Sequence, residues 1–335
     1  MGKRKSATVQ LLVLVIVGAL GLMISATDIG AQSPWYEQAK KEGEVILYTS
    51  VSVDEHAFIV GPFSKKYPGV KVTIVRQSSN SVLQRLLTEH RAGKAVADMV
   101  IVGAEYLDVL QREGLLQSYH SSEGKTEKDS NWFGLYLSDH GIGYNSKVIA
   151  PNAAPTRYTD LLKDQWKNQI ALNIGNPTWI YSMLDFFGNE KGMEFLKKFA
   201  STGPRAVRGT TNIMQSLTTG EVGMAVALNA NTVVTTQGQG APVMLAPIKD
   251  PVYADIHGIG IQNKSLHPNA ARLFVDFMVS KEGQSIVARL SKIPLREDVS
   301  FSAYPVDRKN LRVIGPDARA NIDLYEKIIA ELYTK

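Results

Sequence analysis

From Val45 onward, short apolar runs alternate with longer stretches in which apolar residues recur every three or four positions. That alternation is the pattern of an α/β protein with mostly parallel strands. Residues 45–48 (Val-Ile-Leu-Tyr) read as a strand ending at Thr49-Ser50. Phe58, Phe63 and Tyr67 then recur at helical spacing up to Pro68-Gly69, and Pro62 predicts an irregular helix there. Residues 70–75 form a second strand. Ser79-Asn80-Ser81 offers an N-cap to a helix with Val82, Leu83, Leu86 and Leu87 on its inner face, closing near Gly93. A third strand over 98–102 leads into a helix through Leu107 and Leu110 to Gly114.

The same grammar continues after a polar loop at 121–130. Ile142-Gly143-Tyr144-Asn145 and residues 170–174 read as strands, and Asn176-Pro177 opens a helix with Asn at the N-cap and Pro at the first helical position. Met193, Leu196 and Phe199 line a further helix. Thr210-Thr211 caps another, which runs through Ile213 and Leu217 and ends at Gly220. Strands follow at 222–228, 243–246 and 258–261. Pro268 starts an amphipathic helix with Ala271, Phe274, Val275 and Met278 inward. From Pro316 a last helix places Ile322, Tyr325, Ile328, Ile329 and Leu332 on one face. No sharp linker separates two sequential domains, which suits a chain that crosses between two lobes more than once.

The N-terminus departs from this pattern. Lys3, Arg4 and Lys5 precede an apolar run over 11–24, shorter than the roughly 20 residues a spanning helix needs. It reads as a signal peptide, with cleavage after Ala31 and Ala26 as the second choice; an uncleaved anchor is the alternative. No comparable run occurs later, so the mature chain is expected to be soluble. The 335 residues, 44% hydrophobic and 21% charged, suffice for two core-bearing lobes. Cysteine is absent, which removes disulfides, thiolate metal sites, cysteine nucleophiles and a lipid-attachment cysteine together, and favours free periplasmic residence. The formal charge of +5 falls after removal of residues 1–31 to 34 basic against 31 acidic side chains. With no basic stripe among aromatics, nucleic acid is not an expected partner.

Eight motifs then stand in order: Gly43-Glu44-Val45 through Thr49-Ser50, Phe63-Ser64-Lys65-Lys66-Tyr67-Pro68-Gly69-Val70, Ala97-Asp98-Met99-Val100, Gly114-Leu115-Leu116, Gly141-Ile142-Gly143-Tyr144-Asn145, Gly220-Glu221-Val222, Pro268-Asn269-Ala270-Ala271 and Ser280-Lys281-Glu282-Gly283-Gln284. Over residues 35–300 the chain resembles the extracellular solute-binding proteins of ferric iron, thiamine and phosphonate-type ABC importers. The resemblance implies a type II periplasmic binding fold, with two α/β lobes, a ligand cleft, and crossings near 138–144 and 242–247. It implies lobe 1 over 32–137, lobe 2 over 138–243, and a return with C-terminal helices over 244–335. The implied partners are a small-molecule ligand and an inner-membrane ABC permease, with the protein expected to act as a monomer and without a cofactor.

Strand ends and helix N-termini nominate the site, because unpaired N–H groups there attract oxygen-rich ligands. From the first lobe come Thr49, Ser50, Ser79, Asn80 and the Gly103-Ala104 turn; from the second, Thr178, Trp179, Arg208, Thr210, Asn229 and Asn231. Ser79, Asn80 and Thr210 read equally as helix caps, and Asn176 as a purely structural one. Trp179 reads as a flat wall or as core. Arg208 has the fork that matches carboxylate or phosphate, with a solvated surface arginine as its competing reading.

In the ferric members the resemblance implies two adjacent tyrosines, a histidine and a carboxylate. The paired positions fall here on Ala230 and Asn231, no tyrosine occurs between Tyr181 and Tyr253, and Ser52 stands near the histidine's place, four residues before His56. Hard Fe³⁺ needs anionic oxygen ligands, so the ligand is expected to be a small polar or anionic organic molecule and no metal site is assigned. A ferric site without tyrosines is the alternative; thiamine has only Trp179 and Tyr181 as an aromatic clamp. The protein is not expected to be an enzyme. The six histidines are scattered, and neither a zinc-binding His-Glu-x-x-His nor a Gly-x-Ser-x-Gly elbow is present. His140 and His257 are the two placed to approach the hinge or cleft, and an exported hydrolase with an unrecognised site remains the rival class.

Overall fold

The computed structural model describes residues 33–124 and 130–334. The segment read as a signal peptide, with both expected cleavage points, lies outside them. Along the chain come α1 (Tyr36–Glu42), β1 (Glu44–Thr49), α2 (Val53–Lys66), β2 (Lys71–Arg76), α3 (Ser79–Arg91), β3 (Met99–Gly103) and α4 (Ala104–Arg112). A long strand, β4 (Trp132–Asn145), precedes β5 (Ile170–Asn173), α5 (Thr178–Phe187), α6 (Asn189–Ser201), β6 (Arg205–Val207), α7 (Thr210–Thr219), β7 (Met224–Asn229) and α8 (Ala230–Gly238). The chain ends with β8 (Val243–Leu245), β9 (Val252–Ile261), α9 (Pro268–Val279), α10 (Lys281–Arg289), β10 (Ile293–Pro294), β11 (Leu311–Val313), α11 (Pro316–Arg319) and α12 (Ile322–Tyr333).

The strands join in the order β2-β1-β3-β9-β4-β7-β5-β6. β1 lies parallel to β2 and β3, and β5 parallel to β6 and β7. The joints between these groups are antiparallel: β3 with β9, β9 with β4, and β4 with β7. The expectation of a mostly parallel sheet therefore holds among β1, β2 and β3 and among β5, β6 and β7, and fails where β9 meets β3 and where β4 meets β9, β7 and β8.

Continuous apolar strands are what a sheet covered on both faces requires. In β1 and β3, Val45, Leu47, Met99 and Ile101 pack with Phe63, Phe274 and Phe277 of α2 and α9. Tyr48, Val100 and Val102 point the other way, onto Leu86, Leu107 and Leu110 of α3 and α4. The second half repeats this, with Ile170, Leu172, Met224 and Val226 packed against residues of α5, α6 and α12. Buried carboxylates tie loops to these layers. Asp98 accepts from the Ile46 amide at 2.7 Å and from the Ser265 hydroxyl and His267 amide, each at 2.9 Å. Glu42 accepts from the free amides of Asn269 and Ala270, as an anion at a helix start should.

Several local expectations are corrected. α2 runs through Pro62 without interruption. The carbonyl that loses its donor belongs to Phe58, whose side chain is 59% exposed, so Phe58 is not core and Ile59 joins Phe63 inside. The strand expected at 142–145 begins ten residues earlier, at Trp132. The tail is two helices, not one, and α12 packs against α5 and α6.

Candidate functional site

β4 belongs to both halves of the sheet. Its residues 132–139 pair with β9, and 140–145 with β7 and β8. Above this crossing opens a cavity of about 500 Å³ that adjoins a second of about 390 Å³. Ser50, Ser138, Thr210, Asn229 and His257 line both, so the two form one crevice of small-ligand size.

Helix starts converge on it. Ser79 and Asn80 of α3, Glu105 and Tyr106 of α4, Thr178 of α5 and Thr210 of α7 all line the larger cavity. The capping expectations change here. Ser78, not Ser79 or Asn80, caps α3, its Oγ accepting from the Ser81 amide at 3.2 Å. Gly209 stands at the N-cap of α7 with φ of 98°, a conformation open to glycine, which leaves Thr210 as the first helical residue. Pro177 occupies the N-cap of α5, and the Asn176 side chain makes no cap there. Its Nδ2 lies 3.4 Å from the Ala227 carbonyl, which also accepts from Asn173 Nδ2 at 3.2 Å. Ala227 itself has φ of 60°, a strained conformation just before the crevice end of β7.

Of the residues nominated from sequence, Ser50, Ser79, Asn80, Thr178, Arg208, Thr210 and Asn229 line the larger cavity, and Asn231 the smaller. Arg208 is exposed and, among the described residues, pairs with no carboxylate. Three nominated residues stand apart. Thr49 is buried with its hydroxyl accepting from the Val51 amide, and Gly103 is the N-cap of α4. Trp179 is 2% exposed and packs edge-on against Phe199, because α5 turns that face to the core. Tyr181 packs against Tyr253 and Tyr325, so the two offer no aromatic clamp.

The floor of the crevice comes from the crossing strands. Asp255 Oδ2 lies 2.7 Å from His140 Nε2 and 2.9 Å from the Thr178 hydroxyl. Burial opposes ionisation of Asp255, but the His140 ring and the Thr178 hydroxyl outweigh it and hold the carboxyl below its usual range. Glu105 lies nearby. Burial, and then the charge of Asp255, push its carboxyl up to about 8. His257 stacks on Tyr136 with ring centroids 4.9 Å apart. Burial and then the Lys292 charge push it down to about 4, against the attraction of Asp255, so it is neutral at pH 7. Lys292 is held at 2.6 Å by Glu55 and lies over the Tyr136 ring beside the smaller cavity.

Sequence reasoning missed Glu105, Asp255, Glu55 and Lys292 as wall residues. It nominated strand ends, whereas Asp255 and His257 sit mid-strand in β9. The strand expected at 258–261 begins at Val252, which brings Asp255 and His257 inside it; a polar residue within an otherwise apolar strand was the available signal for Asp255.

The contacts of His140 also have the form of a catalytic triad: Asp255 on one ring nitrogen, and Ser182 Oγ 3.3 Å from the other. Ser182 is 1% exposed and donates to the Thr178 carbonyl at 2.9 Å. A nucleophile must reach substrate. This hydroxyl ties the first two turns of α5 to the hinge.

Residues 35–285 match the family model of the bacterial extracellular solute-binding proteins. The chain belongs to that family. Among similar proteins, the iron uptake protein A1 of Synechocystis sp. is 22% identical over 334 residues, covering 90% of this chain and 91% of its own. The structure of iron-bound HitA from Pseudomonas aeruginosa matches with a TM-score of 0.72 at 18% identity, over 86% of this chain and 99% of that one. The periplasmic binding protein AfuA from Actinobacillus pleuropneumoniae, with exogenous fructose-6-phosphate bound, matches with a TM-score of 0.73 at 18% identity, over 87% and 99%. These likenesses show the fold expected of this solute-binding protein: the type II periplasmic-binding architecture, two α/β lobes joined by crossing strands.

Proposed function

We propose that this solute-binding protein is exported to the periplasm and captures a small polar or anionic organic molecule for an inner-membrane ABC permease. In this reading the lobes divide near residues 138 and 243, close over the solute by rotation about the crossings near 138–144 and 242–247, and exclude water from it. The observation that carries the ligand class is Arg208, exposed without a carboxylate partner among the described residues and beside the N-terminus of α7. A guanidinium fork and free helix N–H groups together suit a carboxylate or phosphate.

Relatives that carry iron favour ferric ion as a second reading. The residues present weigh against it. Ala230 and Asn231 stand where the paired tyrosines belong. The crevice tyrosines both hold their protons firmly: burial, and then the charge of Glu105, push Tyr106 up to about 12, and burial raises Tyr136. Catalysis has no accessible nucleophile in the His140 arrangement, and the protein is read as returning its ligand unchanged.

Thermal-shift screening of residues 32–335 against organic acids, phosphate esters, neutral solutes and Fe³⁺ tests the reading. A ligand at 100 times its dissociation constant adds about 2.7 kcal/mol of stability. For the organic anion that stabilises most, Arg208→Ala is expected to weaken binding by about tenfold or more by isothermal titration, with an unchanged melting temperature for the free protein. Stabilisation by Fe³⁺ alone, with a phenolate charge-transfer band, refutes the organic-solute reading.

A further inference from the structure

The lining of the larger cavity carries two chemically unlike groups of residues. One is cationic: Arg208, together with the starts of α3 and α7 at Ser79 and Thr210. The other is the floor, where Glu105 and Asp255 lie close enough for the charge of one to oppose ionisation of the other. Arg319 is the cation felt at Glu105, but it is engaged by Asp108 at 2.8 Å. His140 serves Asp255, and His257 is neutral. The two carboxyls are therefore short of positive charge.

Hydrogen bonding gives an independent sign of what is missing. Glu105 Oε2, Asp255 Oδ1 and His257 Nδ1 are all sealed from solvent and have no hydrogen-bond partner. Native proteins satisfy nearly all such atoms, and an orphaned acceptor is destabilising. All three belong to residues lining one cavity. Terminal carboxylate torsions are broad, so a small rotation turns these oxygens toward an arriving donor. In the tautomer protonated at Nε2, His257 Nδ1 is an acceptor as well.

We propose that the solute is a small zwitterion, held with its anionic group at Arg208 and its protonated amine on the Glu105–Asp255–His257 floor. This rests on the organic-solute reading above and narrows it. An ammonium brings N–H donors to this group of unpartnered atoms, and its charge supplies what the acid pair lacks. A hydroxyl brings one donor and no charge. Because Glu105 holds a proton in the free protein, seating an ammonium beside it expels that proton to solvent: one N–H···O bond forms as the O–H bond breaks.

The test is isothermal titration at pH 7 with two matched pairs, 4-aminobutyrate against butyrate and phosphoethanolamine against ethyl phosphate. In at least one pair the amine is expected to bind about tenfold tighter or better, the scale of a hydrogen bond between charged groups. Repeating that titration in buffers of different ionisation enthalpy should show a net release of protons on binding, because burial and the Asp255 charge raise the Glu105 carboxyl in the free protein. Glu105→Gln, which keeps the shape of the side chain, should abolish both the preference and the proton release. Equal binding within each pair, or amine binding without proton release, overturns the zwitterion and leaves the organic-anion reading standing. Binding by none of the four at millimolar concentration overturns both.

Discussion

Acidification should expose the cost of keeping His257 neutral. The ring is stacked on Tyr136 at an interplanar angle of 11°, buried in the crevice floor, with the Lys292 ammonium repelling any added proton. Its pKa falls from 6.5 to about 4 on folding. The unfolded chain therefore binds more protons than the folded one between pH 6.5 and 4, and stability is lost as pH drops through that window. For these two values linkage gives a loss of about 2 kcal/mol by pH 5 and about 3 kcal/mol by pH 4. His257→Phe keeps a flat ring against Tyr136 and removes the titration. Urea unfolding of both proteins from pH 7.5 to pH 4 separates this group from the carboxylates, which titrate in each. The stability difference between variant and wild type should move in favour of the variant by about 3 kcal/mol across the range. A difference that stays constant with pH refutes the argument, because it means the ring either accepts a proton in the folded state or lies in contact with water.

Two substitutions probe the hinge and the core. His140→Leu strips Asp255 of its ring partner in a buried setting and should cost about 3–5 kcal/mol in urea unfolding. Adding Asp255→Asn should return part of that loss; strict additivity of the two changes would mean that they do not interact. Trp179→Ala removes a core side chain and should cost about 3–5 kcal/mol, while titration of the remaining folded protein shows unaltered ligand affinity. A selective loss of affinity would return Trp179 to the cleft wall.

The layers of the fold were legible because they follow from simple patterning. β1 is apolar from Val45 to Tyr48 and β3 from Met99 to Val102, and α9 carries a clean inward face from Ala271 to Met278. The crossing was expected near 138–144 only through the family resemblance; local pattern did not show it, for a physical reason. Ser138, Asp139, His140 and Gly141 look like a polar loop, yet all but Gly141 are buried within β4. They can be buried because they are partnered: Asp139 accepts from the Tyr304 hydroxyl at 2.7 Å, and His140 meets Asp255. Those partners lie more than a hundred residues away, beyond the reach of local pattern. The site was half legible for the same reason. Helix starts such as Thr210 and Asn80 announce themselves by composition, whereas the acids beneath them depend on which strands the topology brings together. Caps slipped by one or two residues, which decided whether Ser79 and Asn80 were occupied or free.

The placement of β9 has a consequence for how the chain matures. It is an interior strand of the sheet, bonded on one side to β3 and on the other to β4. Its residues, 252–261, follow β5, β6, β7 and β8 in sequence. A chain emerging from its N-terminus therefore holds every strand of the β4-β7-β5-β6 group before it can join β3 to β4 at all. Until then β3 and β4 present open, apolar edges, the surfaces most prone to pairing with another molecule. Closing that gap requires contacts across some 160 residues, a long loop that slows assembly. Fragments ending before Val252 should aggregate on this account, and the interval before β9 arrives is when the nascent chain most needs a chaperone.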